Sequence, residues 1–158
     1  MLASLHISNY ALIESLDVDF TCGLSIITGE TRAGKSIILG AIDLLRGRRA
    51  DTSALRDKSV KAVVEADFDL HGNEAAERWL SLQDYDLRTD GQLTLRREIS
   101  PSGRSRAFIN DSPANLQAMQ ELTLLLLDIH SQHQTQQLAS PRTRLAFIDS
   151  ISTYKSVL

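Results

Sequence analysis

The sequence predicts an α/β fold in which a mixed sheet contains an antiparallel β subdomain. Short runs of alternating apolar and polar residues recur along the chain, and Gly, Pro and Asn mark the turns between them. One apolar run, a glycine-rich loop and a helical pattern follow one another between residues 24 and 45. With 158 residues, 42% hydrophobic and 23% charged, the chain has the composition of an ordinary globular domain.

The N-terminal segment predicts three strands. Residues 2–8 and 12–20 alternate apolar and polar side chains, and we expect them to pair through a turn at Asn9-Tyr10. Leu24–Thr28 is a short, apolar, β-prone run, which predicts a third strand leading into the glycine-rich loop.

A helix and a long connection are expected next. Apolar residues at helical spacing predict a helix that ends near Leu45. Residues 46–59 are rich in charged and short polar side chains, which is typical of a flexible loop. Val60–Leu70 alternates again and predicts a strand.

The middle of the chain predicts a capped helix and a hairpin. Asn73 is placed to cap a helix that runs through Leu80. Gln92–Ile99 and Ser105–Ile109 flank the turn signal Ser100-Pro101-Ser102-Gly103, so we expect them to pair as a hairpin.

The C-terminal third predicts a helix, a strand and a helix. Ser112 followed by Pro113 fits an N-cap with Pro at the first helical position, which predicts a helix over residues 114–121. Leu122–Ile129 is continuously apolar and predicts a buried central strand. Apolar residues from 132 to 158 recur at nearly heptad spacing, which fits either the start of a coiled coil or one amphipathic helix.

One motif points directly at a ligand. The segment Gly29, Glu30, Thr31, Arg32, Ala33, Gly34, Lys35 and Ser36 fits the phosphate-binding pattern G-x-x-x-x-G-K-[ST]. In that geometry the backbone N–H groups from Thr31 to Ser36 surround an anion at a helix N-terminus, where the helix dipole also favours negative charge. Lys35 would bind the β- and γ-phosphates, and the Ser36 hydroxyl would bind Mg²⁺. The motif therefore predicts a bound nucleoside triphosphate with Mg²⁺.

Arg32 is unusual inside this loop, where small side chains fit most easily. If its position requires a positive φ, the backbone strain is about 1–2 kcal/mol.

Two further segments carry chemistry. Leu124–Leu127 followed by Asp128 has the form of a Walker B strand, but Ile129 and His130 stand where a second carboxylate should activate water. A hydrolytic Walker B is therefore a poor fit. The polar run from His130 to Gln134 offers a neutral amide that could coordinate Mg²⁺ and water; a solvated helix start and a metal site made by two His are the alternatives.

Charge and targeting signals limit the classes of partner. A net charge of −3 and a pI near 5.8 give no global electrostatic reason to bind nucleic acid. Arg46, Arg48 and Arg49 form a local basic cluster that either contacts DNA phosphates or is solvated. The lone Cys22 favours a reducing compartment, and neither a signal peptide nor a membrane-spanning apolar run is recognisable. We expect a soluble, cytoplasmic protein.

The whole chain resembles the N-terminal part of the RecN family, bacterial DNA-repair ATPases related to the SMC proteins. The resemblance depends on the P-loop and on four other segments: residues 7–10, 47–50, 105–110 and 128–133. It implies the N-terminal lobe of an ABC/SMC-head-like P-loop NTPase over residues 1–135, and a helix at 136–158 that begins a coiled coil.

The resemblance also implies functional roles. Lys35 and Ser36 would bind ATP and Mg²⁺, Gln132 would be the Q-loop glutamine, and Arg48 or Arg49 would lie near the phosphates or DNA. The family acts in double-strand-break repair and recombination, so we expect a location at the bacterial nucleoid. The implied partners are DNA, the C-terminal half of the ATPase head and a second copy in a homodimer.

The chain departs from the family pattern in two ways. The family has Gly where this sequence has Arg32. Its signature motif, Walker B and catalytic glutamate belong to a C-terminal half that this sequence does not contain, so we expect ATP binding with little hydrolysis by this chain alone. The alternatives are a nucleotide-blind interaction module with a degenerate P-loop, or a small self-contained P-loop kinase or GTPase.

Overall fold

The computed structural model describes residues 1–28 and 32–128, with the backbone alone for residues 32–34. The elements, in chain order, are β1 (Leu2–Tyr10), β2 (Ile13–Asp19), α1 (Arg32–Leu45), a 3₁₀ turn (Thr52–Ala54), β3 (Ala62–Asp69), α2 (Glu74–Leu82), β4 (Gln92–Ile99), β5 (Ser105–Ile109), β6 (Ser112–Ala114) and α3 (Leu116–Leu126).

The six strands form one sheet in the order β2-β1-β3-β4-β5-β6, and every neighbouring pair is antiparallel. The expected β1–β2 pair, the strand near residues 60–70 and the β4–β5 hairpin are confirmed. A second tight hairpin joins β5 to β6 through Asn110 and Asp111, whose φ angles of 46° and 65° fit a turn of type I′. The predicted α/β class with an antiparallel subdomain is also confirmed.

One face of the sheet carries the core because alternate residues of each central strand point to it. In β3 these residues are Ala62, Val64, Ala66 and Phe68, all at most 1% exposed. Helices α1 and α3 contribute Ala41, Leu44, Leu45, Met119 and Leu122 to the same core. On the opposite face, Asp67 accepts hydrogen bonds from the hydroxyls of Ser4 and Thr94 at 2.8 and 2.6 Å.

The strand expected at Leu24–Thr28 is not formed. Leu24 and Ile26 are 87% and 74% exposed, although their apolar side chains favour burial. A strand needs the free edge of another strand to bond its N–H and C=O groups. Among the described strands, none pairs with this segment, so the local β propensity is not realised.

The helix expected over residues 114–121 is confirmed from Leu116 onwards, but its predicted start is wrong. Ser112 and Pro113 lie in β6, at the edge of the sheet, where a missing N–H is tolerated. The N-cap is Asn115 instead, and its side chain accepts a hydrogen bond from the Ala118 N–H at 2.8 Å.

Residues 116–126 form α3, so the buried strand predicted from Leu122 onwards is also wrong up to residue 126. The buried side chains of α3 are Ala118, Met119, Leu122 and Thr123, which is the spacing of one helix face. Leu124 is 70% exposed. A continuous apolar run does not by itself distinguish a strand from a helix that is only partly covered.

Residues 46–59 are irregular, as expected, but they are anchored. Leu55 is 5% exposed and forms a β-bridge with Tyr10. The Asn9 side chain, itself buried, donates to the carbonyls of Asp57 and Val60 and accepts from the Asp57 N–H. Three hydrogen bonds from one buried amide therefore fix this connection.

The end of the predicted strand at Ile129, the predicted helix at 136–158 and its domain boundary lie outside the described residues. Within the part of the chain that the structure describes, no helix is both long and apolar enough to cross a bilayer.

Candidate phosphate-binding site

Helix α1 begins inside the phosphate-binding motif. Its first turn starts at Arg32 and contains Lys35 and Ser36, whose side chains are exposed. No acidic side chain lies in this turn, so no carboxylate of the turn competes with an anion for the positive end of the helix dipole. Gly29, Glu30, Thr31 and Gln132 lie outside the described residues, and of Ala33 and Gly34 only the helical backbone is described.

Arg32 has a helical backbone, because α1 includes it. The described part of the chain contains five non-glycine residues with a positive φ, and Arg32 is not one of them. The strain that a positive φ would impose on this arginine therefore does not arise, and no backbone conformation demands glycine here.

The N-terminal strand positions α1. The phenol of Tyr10 lies so close to Gly40 that a Cβ on this glycine would be 3.2 Å from Oη. Burial raises the pKa of Tyr10 above its ordinary value, with Arg48 lowering it and Asp43 raising it by smaller amounts. The turn predicted at Asn9-Tyr10 is wrong, because both residues belong to β1 and the chain turns at Ala11 and Leu12 instead.

The C-terminal end of α1 is fixed by a Schellman motif. The Gly47 N–H donates to the Leu44 carbonyl and the Arg48 N–H to the Asp43 carbonyl, at 3.1 and 3.0 Å. Gly47 has a φ of 80°, and a Cβ there would lie 2.4 Å from Cγ of Gln120. Only glycine meets both demands, so this residue seats the end of α1 against α3.

Asp43 partly neutralises the basic cluster that follows α1. Its two carboxylate oxygens lie 3.2 Å from Arg46 and 3.4 Å from Arg48. Arg49 is exposed and forms no ion pair within residues 1–28 and 32–128. Of the two arginines predicted to approach phosphates or DNA, Arg49 is therefore the one whose charge no described carboxylate compensates.

An apolar groove of about 280 Å³ lies beside Lys35. The other lining side chains come from β1, from the segment between β2 and the motif, and from α1: Leu2, Phe20, Ile27, Ile38, Leu39 and Ile42. Leu24 and Ile26, which precede Ile27 in the chain, are exposed apolar residues as well.

The described residues provide no Walker B strand. Leu124–Leu126 belong to α3, and Asp128 follows a helix instead of a strand. Among residues 1–28 and 32–128 no group of three or more His, Cys, Asp or Glu is arranged to hold a metal ion. A Mg²⁺ ion bound through nucleotide phosphates, the Ser36 hydroxyl and waters does not require such a group.

Comparisons with known proteins place the chain in a family. The model of the AAA domain family matches residues 4–140. The chain therefore belongs to the AAA domain family.

Its sequence is similar over its whole length to DNA repair protein RecN. It is 42% identical to RecN of Vibrio cholerae over 158 residues, which cover 100% of this chain and 28% of the relative. It is 40% identical to RecN of Bacillus subtilis over 152 residues, covering 96% of this chain and 26% of the relative. The resemblance to the N-terminal part of RecN is thereby confirmed, and the chain spans little more than a quarter of the length of these relatives.

Solved structures show the same fold. A chain from work on the ATP-driven dimerization and DNA-stimulated activation of SMC ATPases superposes with a TM-score of 0.64 at 22% identity, over 96% of this chain and 99% of that one. The SMC head domain of Thermotoga maritima gives 0.54 at 19% identity, over 76% of this chain and 41% of its own. The expected SMC-head-like lobe is confirmed.

Proposed function

We propose that this chain is the ATP-binding N-terminal part of a RecN-type DNA-repair ATPase. The observation that carries the proposal is the start of α1 within the motif G-x-x-x-x-G-K-[ST], with Lys35 and Ser36 exposed on its first turn. The first turn of α1 carries no acidic side chain, and a helix N-terminus is suited to bind an anion.

Each site residue has a distinct role in this proposal. The N–H groups from Thr31 to Ser36 would bind phosphate oxygens, and Lys35 would neutralise the β- and γ-phosphates. Ser36 would hold Mg²⁺, which supplies positive charge between the phosphates when bound. Gln132, as the Q-loop glutamine, would complete the Mg²⁺ and water shell.

We expect little ATP hydrolysis by this chain alone. Phosphoryl transfer needs charge neutralisation, Mg²⁺ and a positioned water together, and α3 occupies the segment that was the candidate Walker B. The C-terminal half of the ATPase head would supply the missing carboxylates. The exposed Leu24, Ile26 and Ile27 support this, since they form apolar surface that a further lobe could cover.

The proposal extends to assembly and place of action. ATP-driven dimerization and activation by DNA are named for SMC ATPases that share the fold. By analogy, we propose that this chain acts on DNA as part of a homodimer. Its place of action would be the bacterial nucleoid, in the cytoplasm. Arg49, with Arg48 as a weaker contributor, would bind nucleotide or DNA phosphates. If Arg49 contacts DNA phosphates, DNA binding should weaken steeply as the salt concentration rises, and Arg49→Ala should make this dependence on salt less steep.

A calorimetric titration of ATP with Mg²⁺ tests the proposal. Saturable binding is expected for the chain and for Lys58→Ala, a matched loss of one exposed lysine outside the motif. Lys35→Ala should abolish binding, and Arg32→Gly should bind at least as tightly as the unmodified chain. Equal binding by Lys35→Ala and Lys58→Ala would contradict the proposed site.

The same titration separates the alternatives. Binding seen only in Arg32→Gly would indicate an interaction module whose P-loop is blocked by the arginine. Steady ATP turnover that is lost in Lys35→Ala would instead favour a self-contained P-loop enzyme, because the proposed fragment cannot position the attacking water.

A further inference from the structure

A buried arginine that has no counter-ion among the described residues lies on the core face of the sheet. Arg97 of β4 is 2% exposed, and its side chain shares that face with Leu95 and Ile99. Its Nε has no hydrogen-bond partner, and no carboxylate pairs with it in the described part of the chain. Burial lowers the pKa of Arg97 from its ordinary value. A buried charge of this kind is costly unless an anion accompanies it.

The space beside Arg97 is large enough for such an anion. In the sheet register Arg97 pairs with Ala107, and Ala107 pairs with Ala114, so two methyl groups follow the guanidinium along this row. A pocket of about 440 Å³ opens there. Its remaining lining residues come from β5, β6 and the start of α3: Ser105, Arg106, Phe108, Pro113, Asn115 and Leu116.

The N-terminus of α3 faces the same pocket. Asn115, the N-cap, and Leu116, the first helical residue, both line it. The Asn115 side chain satisfies the Ala118 N–H, and the Asn115 carbonyl accepts from the Met119 N–H. The N–H groups of the first helical residues have no partner inside a helix, and the helix dipole adds positive potential.

We propose that the Arg97 pocket binds the carboxylate of an Asp or Glu side chain presented by a protein partner. Two arginines line the pocket, and Arg97 is buried whereas Arg106 is exposed to solvent. One carboxylate neutralises the buried guanidinium and can accept two parallel hydrogen bonds from it. The methyl groups of Ala107 and Ala114 line the pocket beside Arg97, and this apolar surface suits the methylene groups of a peptide. Nucleic-acid phosphates are instead bound by rows of exposed cations. This proposal does not depend on nucleotide binding at α1.

Arginine side-chain NMR tests the pocket directly. The probes are the blocked peptides acetyl-Ala-Glu-Ala-amide and acetyl-Ala-Gln-Ala-amide, sodium acetate and inorganic phosphate, each titrated into the ¹⁵N-labelled chain. The Glu peptide should move the Arg97 Nε–H resonance and bind about tenfold more tightly than the Gln peptide, the difference expected for one charged hydrogen bond. Arg96 is the internal control, since it lies on the opposite face with Glu65 and Asp111 and should not respond.

Two variants distinguish the pocket from general charge effects. Arg97→Lys keeps the charge but loses the planar pair of donors, and should weaken the Glu peptide about tenfold. Asn115→Asp keeps a good N-cap and places a carboxylate at the pocket, so it should weaken the Glu peptide by a similar factor without unfolding the chain. Three results would overturn the proposal. Acetate or phosphate could bind more tightly than the Glu peptide, the two peptides could bind equally, or Asn115→Asp could bind the Glu peptide as tightly as the parent chain.

Discussion

Two apolar segments of this chain differ sharply in what surrounds them. In β3, Val64 and Phe68 are at most 1% exposed and the strand has antiparallel neighbours on both sides. In residues 24–28, Leu24 and Ile26 are at least 74% exposed and no described strand is paired with them. Both segments have apolar, β-prone sequences.

The difference shows that strand formation depends on partners more than on propensity. β3 lies between β1 and β4, so its hydrogen bonds and its apolar face are satisfied within residues 1–127, which make one compact unit. The segment before α1 lacks both kinds of partner among the described residues. We therefore expect the sheet to be stable by itself and the P-loop flank to depend on a further protein surface.

Truncation of a core side chain should produce the largest effect. Phe68→Ala removes a ring that is 0% exposed and should lower the free energy of unfolding by about 3–5 kcal/mol. The matched control is Leu24→Ala, which truncates an apolar side chain at an exposed position. This variant should change the free energy of unfolding by less than about 0.5 kcal/mol. Urea unfolding followed by circular dichroism measures both. Similar losses in the two variants would mean that the segment is packed.

Loss of the Asn9 amide should have the next largest effect. Asn9→Gly tolerates the φ of 53° but leaves one N–H and two carbonyls of the 57–60 connection without their partner. We expect a loss of about 1–3 kcal/mol together with faster amide exchange in residues 54–60. Asn110→Gly, at φ 46° in another turn, is the control and should leave exchange in residues 54–60 unchanged.

Polar substitution of the exposed segment should affect association more than stability. Leu24→Ser combined with Ile26→Ser removes two exposed apolar side chains, so binding of an apolar dye and self-association should fall. The free energy of unfolding should change by less than about 0.5 kcal/mol. A monodisperse parent chain that binds no dye would contradict the expected interaction surface.

The smallest effect is expected at the turn before β4. The Arg88 guanidinium, with the Gln92 N–H, lowers the pKa of Asp90 to about 2. The carboxylate therefore stabilises the fold above its ordinary pKa of about 3.9, and this contribution is lost as the pH falls through about 2. Thermal unfolding of Asp90→Asn should show a weaker dependence on pH between 4 and 2 than that of the parent chain, and an equal dependence would contradict the role of this carboxylate.

Local signals in the sequence were sufficient for much of the sheet and for helices α1 and α2. Alternation in residues 60–70 and the Asn73 cap predicted β3 and α2, because both depend on neighbouring residues. The start of α3 and the strand expected after residue 121 were predicted wrongly, since the cap proved to be Asn115 and a continuous apolar run fits either period. The motif located the start of α1, but only tertiary structure brings Tyr10 to Gly40 and leaves Arg97 without a carboxylate among the residues that the structure describes.

Hydrogen–deuterium exchange of the chain with and without ATP and Mg²⁺ tests the central claim most directly. We predict slow exchange in β1, β3 and β4 under both conditions, fast exchange in residues 24–28 without nucleotide, and slower exchange with ATP in peptides that contain Lys35 and Ser36. Slow exchange of residues 24–28 in the chain alone, or no effect of ATP at the start of α1, would contradict the account.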